Sequence, residues 1–479
     1  MLFHSIDFAI FLPIVFILYW LVFKRRRWQN LLIVMASYLF YGWWDWRFLL
    51  LIAVTSISSF SCGILIERHD TNKKIQRAIS AFNIILNLLI LCFFKYFNFF
   101  IESIVQLFSS IGIKLDWVTI QIILPVGISF YTFQALSYTI DIYQKKQKAT
   151  KDVIEFLAYI SFFPQLVAGP IERATHLLPQ FQTERRFSYP QAVDGARQML
   201  WGFFKKLVIA DNCGSIVDIY WNYYEILSGP TLVLIAILFS FQIYCDFSGY
   251  SDIAIGCARL FGINLMRNFN NPYFSRNIAE FWRKWHISLT TWLRDYIYVP
   301  LGGNRCSPLR VTRNIFIIWG ISGLWHGANW TFVCWGLYHA VLLSIHHLMK
   351  ASGATLFSRL PHHSKHVTSI PKVIFTFGLT TIGWVIFRAH DIKEASSYLM
   401  ALFTHPYIHR GFIDGKKWFV AGIVLLSIEW IQRNRQHALD FSDKNLFRYR
   451  IARWIVYYAL ITCILNFSAS NHTFIYFQF

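Results

Sequence analysis

The chain has 479 residues, of which 56% are hydrophobic, 19% are aromatic and only 15% are charged. A soluble domain rarely combines so much apolar residue with so little charge, so the composition indicates a polytopic membrane protein. The formal net charge of +20 does not require a nucleic-acid partner, because the basic residues cluster in short segments between apolar runs, as in cytoplasmic loops.

The first part of the chain alternates between apolar runs and short polar segments. About 20 apolar residues cross the hydrocarbon core of a bilayer. Basic residues follow the first, third and fifth runs, and the segment before Thr119 has almost none, so the positive-inside rule predicts five crossings with the N-terminus outside. No basic residue precedes the first run, which is not typical of a cleaved signal. The runs are Phe8 to Phe23, Leu31 to Trp44, Phe48 to Ile66, Ala78 to Ile101 and Ile120 to Tyr143.

The pattern becomes irregular after Val153. The apolar segment from Ile154 to Val167 is too short for a full crossing and ends at Gly169 and Pro170, so it predicts a re-entrant or interior helix. Non-helical backbone at this depth survives only where protein or a water-filled cavity surrounds it.

A longer apolar run from Thr231 to Phe261 contains two carboxylates, Asp246 and Asp252. A carboxylate in an apolar run is costly unless it is hydrogen-bonded or paired with a cation. A structural role for both is the favoured interpretation. The alternative is that one of them orients a catalytic histidine.

The stretch from Asn270 to Arg313 does not resemble a membrane span. Aromatic and aliphatic residues recur there every three or four residues, which predicts a helix with one aromatic face lying at the membrane interface. These residues are Phe281, Trp285, Leu289, Trp292 and Tyr296, with Arg283, Lys284 and Arg294 beside them. His286 has no evident task from its neighbours alone. The cluster of Arg305, Arg310 and Arg313 could hold donor phosphates, but ordinary cytoplasmic charge accounts for it better.

A histidine, His326, lies within the apolar run from Ile315 to Leu348. A histidine in such a run usually faces a cavity or a polar partner, and imidazole is suited to proton transfer near neutral pH. Gly327 and Ala328 follow it directly and would let another group approach the ring. The alternative is a buried histidine that hydrogen-bonds a neighbouring helix.

The last third of the chain adds further predicted spans, Val373 to Phe387, Trp418 to Ile431 and Trp454 to Phe467. With these, about ten to twelve crossings are expected. The loop between spans is rich in histidine, but no carboxylate accompanies these residues, so no metal site is predicted. The histidines concerned are His346, His347, His362, His363 and His366.

Five motifs occur together in this chain: Pro125 to Phe130, Phe163 to Pro170, Asp246 to Asp252, Glu280 to Gly303 and Leu324 to Gly327. Together they resemble the membrane-bound O-acyltransferases, in particular the bacterial alginate and peptidoglycan O-acetyltransferase branch. The resemblance covers roughly Ile6 to His347. It implies an all-α fold in which a ring of tilted transmembrane helices and re-entrant helices surrounds a central cavity. One membrane domain over 1–479 is expected, with a motif-bearing core at about 120–347 and C-terminal spans at about 371–467.

The resemblance also implies a chemistry. His326 would be the catalytic general base and His286 the second histidine of the site. Residues expected to contact the substrate or donor are Arg283, Lys284, Arg305 and Asn329. The family implies that no cofactor is bound. It also implies that acetyl-CoA or an acyl carrier is the donor and that the partner is a secreted SGNH-type acetyltransferase. The expected location is the bacterial cytoplasmic membrane.

Other functions remain open at this stage. The same chemistry would serve the transfer of D-alanine to teichoic acid or of a long acyl chain to a lipid. A non-enzymatic transporter of lipid-linked sugars is a third hypothesis, although the sequence has no internal repeat of the kind common in transporters.

Overall fold

A computed structural model describes residues 1–115, 122–352, 370–405, 415–441, 449–468 and 474–475. Within these ranges every regular element is a helix and no strand is present. The chain forms two compact units. Unit 1 comprises Met1–Ala196 and Ala254–Met266, and unit 2 comprises Arg197–Ile253 and Arg267–Phe479.

The helices are numbered in chain order. The first eight belong to unit 1: α1 (Ile6–Ile17), α2 (Arg26–Gly42), α3 (Leu49–Arg68), α4 (Lys73–Ser110), α5 (Ile128–Tyr143), α6 (Val153–Ser161), α7 (Phe163–Leu166) and α8 (Ala174–Gln182). Then follow α9 (Tyr189–Phe203), α10 (Asp211–Trp221), α11 (Gly229–Leu260), α12 (Ile278–Lys284), α13 (Ile287–Leu293), α14 (Pro308–His326) and α15 (Trp330–Ala351). The last are α16 (Ile370–Arg388), α17 (Ile392–Thr404), α18 (Lys416–Ile431) and α19 (Arg450–Phe467).

Six helices in the described ranges are long and apolar enough to cross a membrane, which confirms the predicted all-α polytopic class. They are Trp46–Arg68, Lys73–Ser110, Gly229–Leu260, Trp330–Lys350, Ile370–Arg388 and Arg450–Phe467. The expected total of ten to twelve crossings stays a prediction.

Unit 1 supports part of the predicted topology. Helix α4 has 38 residues, which is about 57 Å at a rise of 1.5 Å per residue and longer than the hydrocarbon core of a bilayer is thick. The turn before α4 and the segment after α5 meet in an ion pair between Asp70 and Lys145, with 2.6 Å between Oδ1 and Nζ. Both segments therefore lie at the same end of unit 1, as the alternation of charge predicts.

The run predicted from Ile120 to Tyr143 differs from the helix that forms there. Residues 116–121 lie outside the described ranges, residues 122–127 are not helical, and α5 begins at Ile128. Gly127 precedes it with φ of +77°, and a Cβ there would lie 2.5 Å from the carbonyl oxygen of Leu166. Of the 16 residues of α5, 14 are buried, so it is an interior helix of unit 1.

The segment from Ile154 to Val167 forms only short helices. Helix α6 has 9 residues and α7 has 4 residues. This confirms that the segment is too short to be a regular span.

Candidate active site

His286 lies at a break in the chain that the sequence pattern did not predict. The spacing of the aromatic residues predicted one helix through this region, but α12 ends at Lys284 and α13 begins at Ile287. His286 has φ of 43° and ψ of 54°, in the left-handed region. A non-glycine residue in this conformation costs about 1–3 kcal/mol, and such strain often occurs at functional sites.

The His286 side chain is held by Asn268. The distance from His286 Nδ1 to Asn268 Oδ1 is 3.0 Å. An amide oxygen can only accept, so Nδ1 carries the proton and Nε2 carries the lone pair. Burial lowers the pKa of His286 to about 3, so the ring is neutral near pH 7. The structure thus presents His286 as a neutral imidazole with Nε2 as its accepting nitrogen.

Aromatic rings fix the plane of the His286 imidazole. The ring of Phe247 on α11 meets it edge-on, with 4.6 Å between centroids and 84° between planes. The indole of Trp325 lies 5.7 Å away on another side. Only 1% of His286 is exposed, so the ring has little freedom to turn.

His326 is the last residue of α14, at a second break in the chain. The apolar run from Ile315 to Leu348 gives no sign of an interruption, but the structure divides it into α14 and α15. Gly327 follows in extended conformation, and a Cβ there would collide with the ring of Phe332. Asn329 caps α15 by accepting the backbone N–H of Thr331 at 3.0 Å. The chain therefore reverses immediately after the histidine.

The imidazole of His326 is packed among aromatic rings. The ring of Trp335 on α15 meets it edge-on, with 4.9 Å between centroids. The ring of Phe387 on α16 also meets it edge-on, with 5.4 Å between centroids, and the centroid of the Trp325 indole lies 5.1 Å away. Trp325 thus contacts both histidine rings.

One cavity of about 470 Å³ in unit 2 brings the two histidines together. Its walls are mostly aromatic and aliphatic. Among the residues that line it, only Arg283 and Arg294 are charged, and no carboxylate is present. The remaining lining residues are Ala279, Trp282, Ile287, Leu289, Thr290, Thr291, Leu293, Tyr298, Ile315, Ile318, Trp319, Ser322 and Leu343.

The four residues expected to contact substrate or donor are placed differently. Arg283 lines the cavity and is exposed. Lys284 instead pairs with Glu280, with 2.9 Å between Nζ and Oε1. Arg305 lies in the turn before α14, and Asn329 caps α15; neither lines the cavity. Arg294, which was noted only as part of the interfacial helix, is the second cation of the cavity.

Asp246 is paired with a buried lysine. A π-helical turn at Phe204–Ala210 carries Lys206, whose Nζ lies 2.8 Å from Oδ1 of Asp246 and 2.8 Å from Oδ1 of Asp211. The other oxygen of Asp246 accepts the backbone N–H of Ile475 at 2.7 Å. Hydropathy does not identify Lys206 as this partner, although the adjacent lysines Lys205 and Lys206 in an apolar stretch indicate buried carboxylate partners.

Asp252 is held by the neighbouring lysine of the same turn. Lys205 Nζ lies 2.5 Å from Oδ2 of Asp252 and 3.8 Å from Oε1 of Glu429. Gln198 donates to Oδ1 of Asp252 at 2.8 Å. Neither Asp246 nor Asp252 pairs with His286 or His326, an arrangement that suits the structural interpretation of both.

The histidines considered for a metal site do not form one in the described part of the chain. His346 and His347 lie on α15, whereas His362, His363 and His366 lie outside the described residues. Among the described residues, no group of three or more histidine, cysteine, aspartate or glutamate side chains could hold a metal ion. That the protein works without a metal stays a prediction.

The comparisons with known proteins agree on one family. The sequence model of the MBOAT, membrane-bound O-acyltransferase family matches residues 38–388, which include both histidines and the cavity. The chain is 39% identical over 395 residues to the "Probable alginate O-acetylase AlgI" of Pseudomonas aeruginosa, covering 82% of this chain and 73% of that protein.

Two further relatives differ in the transferred group that their names state, acetyl in one and D-alanyl in the other. The "Peptidoglycan O-acetyltransferase" of Helicobacter pylori is 31% identical over 523 residues, covering 98% of this chain and 95% of that protein. The "Teichoic acid D-alanyltransferase" of Bacillus subtilis is 28% identical over 277 residues, covering 55% of this chain and 68% of that protein.

Proposed function

The chain belongs to the membrane-bound O-acyltransferase family and is an O-acyltransferase, and from this we propose that it moves acetyl groups from a cytoplasmic donor across the membrane for O-acetylation of an exported or cell-wall polysaccharide. The observation that carries the proposal is the single cavity lined by both His286 and His326. The bacterial cytoplasmic membrane is the proposed location, with the N-terminus outside.

In the proposed reaction the two histidines act on the protons of an acyl transfer. His326 takes the proton of the attacking hydroxyl as its oxygen bonds to the acyl carbon. The bond between the acyl carbon and the donor sulfur then breaks, and the proton passes to the leaving thiolate. An apolar cavity also restricts water, which protects the acyl group from hydrolysis.

The charge of the cavity supports an anionic donor. Arg283 and Arg294 line it and no carboxylate does, although Arg294 pairs with Asp295 at 2.7 Å between Nε and Oδ1. A ligand with phosphate groups near the Arg283 guanidinium would be stabilised. Acetyl-CoA and the phosphopantetheine arm of an acyl carrier both have such phosphates next to a thioester. We propose one of these as donor, with no cofactor bound permanently.

The same charge distribution separates acetyl from D-alanyl transfer. A D-alanyl group carries an ammonium, which Arg283 in a cavity lined by no carboxylate would repel. Arg294 adds less to this repulsion, because it is paired with Asp295. An acetyl group is small and uncharged and suits the apolar walls. D-Alanine is therefore the second candidate, supported by the similarity to a teichoic acid D-alanyltransferase but opposed by the cavity.

The acceptor polymer lies outside the cytoplasm, so a second protein is needed if the acetyl group is handed on. We propose a secreted acetyltransferase of the SGNH type as this partner, as the branch resemblance implies.

The test compares ester-linked groups on the exported polymer. Cells with the parent chain, cells without it and cells with His326→Ala would be treated with mild base, and the released acetate and D-alanine would be measured. Acetate that depends on the parent chain and on His326 supports the proposal. Release of D-alanine alone, or acetate that does not depend on the chain, would overturn it.

A further inference from the structure

We propose that Asn268 is a positioning residue for His286, which keeps the proton of the imidazole on Nδ1 and leaves Nε2 as the nitrogen that can accept a hydrogen bond from the hydroxyl or thiol in the cavity, while His326 remains the general base. This inference rests on the proposed acyl transfer. It adds a residue that does not itself line the cavity and that the sequence analysis did not single out.

The orientation of the Asn268 amide follows from its other hydrogen bonds. Its Oδ1 also accepts from the backbone N–H of Ser288 at 3.3 Å and from the Ser288 hydroxyl at 3.0 Å. Its Nδ2 donates to Ser251 Oγ at 3.2 Å. Turning the amide over would set its NH2 group against the Ser288 N–H, a contact between two donors. The oxygen must therefore face His286.

Asn268 also holds the backbone that carries the imidazole. Its carbonyl oxygen accepts the N–H of Ile287 at 2.9 Å, directly after the left-handed His286. Two residues further on, the N–H of Asn270 donates to the carbonyl of Lys284 at 2.9 Å, on the other side of the break. One residue thus fixes both the ring and the strained main chain, and such strain persists only where the surroundings enforce it.

An amide at this position has a different effect from a carboxylate. A carboxylate beside Nδ1 would stabilise the imidazolium and raise the pKa of His286, whereas an amide accepts the same hydrogen bond without attracting a second proton. Burial is the cause of the low pKa of His286. The charged or titratable side chains that share the cavity with it are Arg283, Arg294, Tyr298 and His326, and none of them is a carboxylate that could stabilise the imidazolium. Burial therefore keeps His286 neutral, and Asn268 orients the ring without stabilising its cation.

The experiment uses Asn268→Asp in the full chain, with acetyl transfer measured in membranes supplied with acetyl-CoA and acceptor polymer. A histidine that must be neutral to accept a hydrogen bond from the reacting group gives an acid limb in the pH profile at its own pKa. We expect the acid limb of Asn268→Asp to lie at least about one pH unit above that of the parent, because a neighbouring carboxylate raises the pKa of a histidine by stabilising its cation. Activity would be lost at low pH and recovered at higher pH.

The control for a buried carboxylate is Asn314→Asp. Asn314 is equally buried, lies on α14 in the same unit, and donates to the carbonyl of Leu301 at 3.0 Å rather than to either histidine. This variant should keep the pH profile of the parent. If Asn268→Asp loses activity equally at every pH, or if Asn314→Asp shifts the profile as much, the positioning role is wrong.

A second measurement does not depend on activity or on the folding of Asn268→Asp. Nitrogen-15 NMR of the histidine side chains in lipid nanodiscs, with the His286 signals identified by their loss in His286→Gln, reports which ring nitrogen carries the proton. We expect Nδ1 to be protonated in the parent. A proton on Nε2 would overturn the inference even if acetyl transfer were established. A parent chain that transfers no acetyl would overturn the proposed function, but the NMR result would still decide the role of Asn268.

Discussion

Replacing His326 by glutamine is the most direct test of the general base. The ring packs against Trp335 and Phe387. Glutamine has similar bulk and a polar end but cannot take a proton near neutral pH. The substitution should therefore leave the fold intact and remove only the proton transfer.

The expected loss follows from what a general base contributes. Such a group accounts for about 10²–10⁴-fold of the rate, which corresponds to about 2.7–5.4 kcal/mol of activation free energy. The helix hairpin around His326 would lose much less, because the imidazole contributes ring contacts of about 0.5–1.5 kcal/mol each, part of which glutamine retains. Activity should thus fall by at least about a hundredfold while the yield and melting temperature stay near those of the parent.

The assay measures acetyl groups on the exported polymer together with the amount of detergent-extracted protein. His347→Gln is a matched control, because His347 lies on α15 and does not line the cavity; it should transfer acetyl like the parent. If His326→Gln transfers acetyl at the parental rate, His326 is a packing residue and the assignment of the base is wrong.

Three other outcomes follow from the structure. Single cysteines would replace Lys73, Lys114 or Lys145 in a chain without its native cysteines. An impermeant thiol reagent added to intact cells should label only position 114, and labelling at position 73 would show that the predicted topology is inverted. Asp246→Asn breaks a buried ion pair, which costs about 3–5 kcal/mol of stability, so the yield of folded protein should fall. A variant with normal yield and melting temperature but no acetyl transfer would place this carboxylate in the chemistry. Gly327→Ala forces a methyl group into an aromatic ring and should cost about 1–3 kcal/mol, measured as a lower melting temperature; an unchanged melting temperature would show that the turn can relax.

Hydropathy and charge were sufficient to predict the membrane class and most of the apolar helices, because burial in lipid requires long apolar runs. They were less informative at places where an apolar run contains a break. The run from Ile315 to Leu348 looks continuous, yet the chain reverses at Gly327. Gly327 is needed there because the ring of Phe332 on the neighbouring helix α15 leaves no room for a Cβ. Hydropathy along the chain gives no information about such a contact between helices.

The candidate site was predictable only in part. His326 and His286 were identified from their motifs, and one cavity contains both. The partners were not identified, because Asn268 precedes His286 by 18 residues and contacts it only after the chain folds back. Lys206 is similarly distant in sequence from Asp246. Such pairs depend on tertiary contacts, and periodicity along one helix gives no information about them.

The two histidines share a structural property that bears on their function. Each lies where a helix ends, His286 between α12 and α13 and His326 before Gly327. A helix that breaks inside a membrane protein leaves backbone groups without helical partners, which is tolerated only where protein or a cavity surrounds them. At His286 that requirement is met by Asn268, whose carbonyl accepts the N–H that follows the break. The same residue orients the imidazole. The contacts that make the break possible therefore also preorganise the ring, so a change that relaxes the break should impair acetyl transfer before it unfolds the protein.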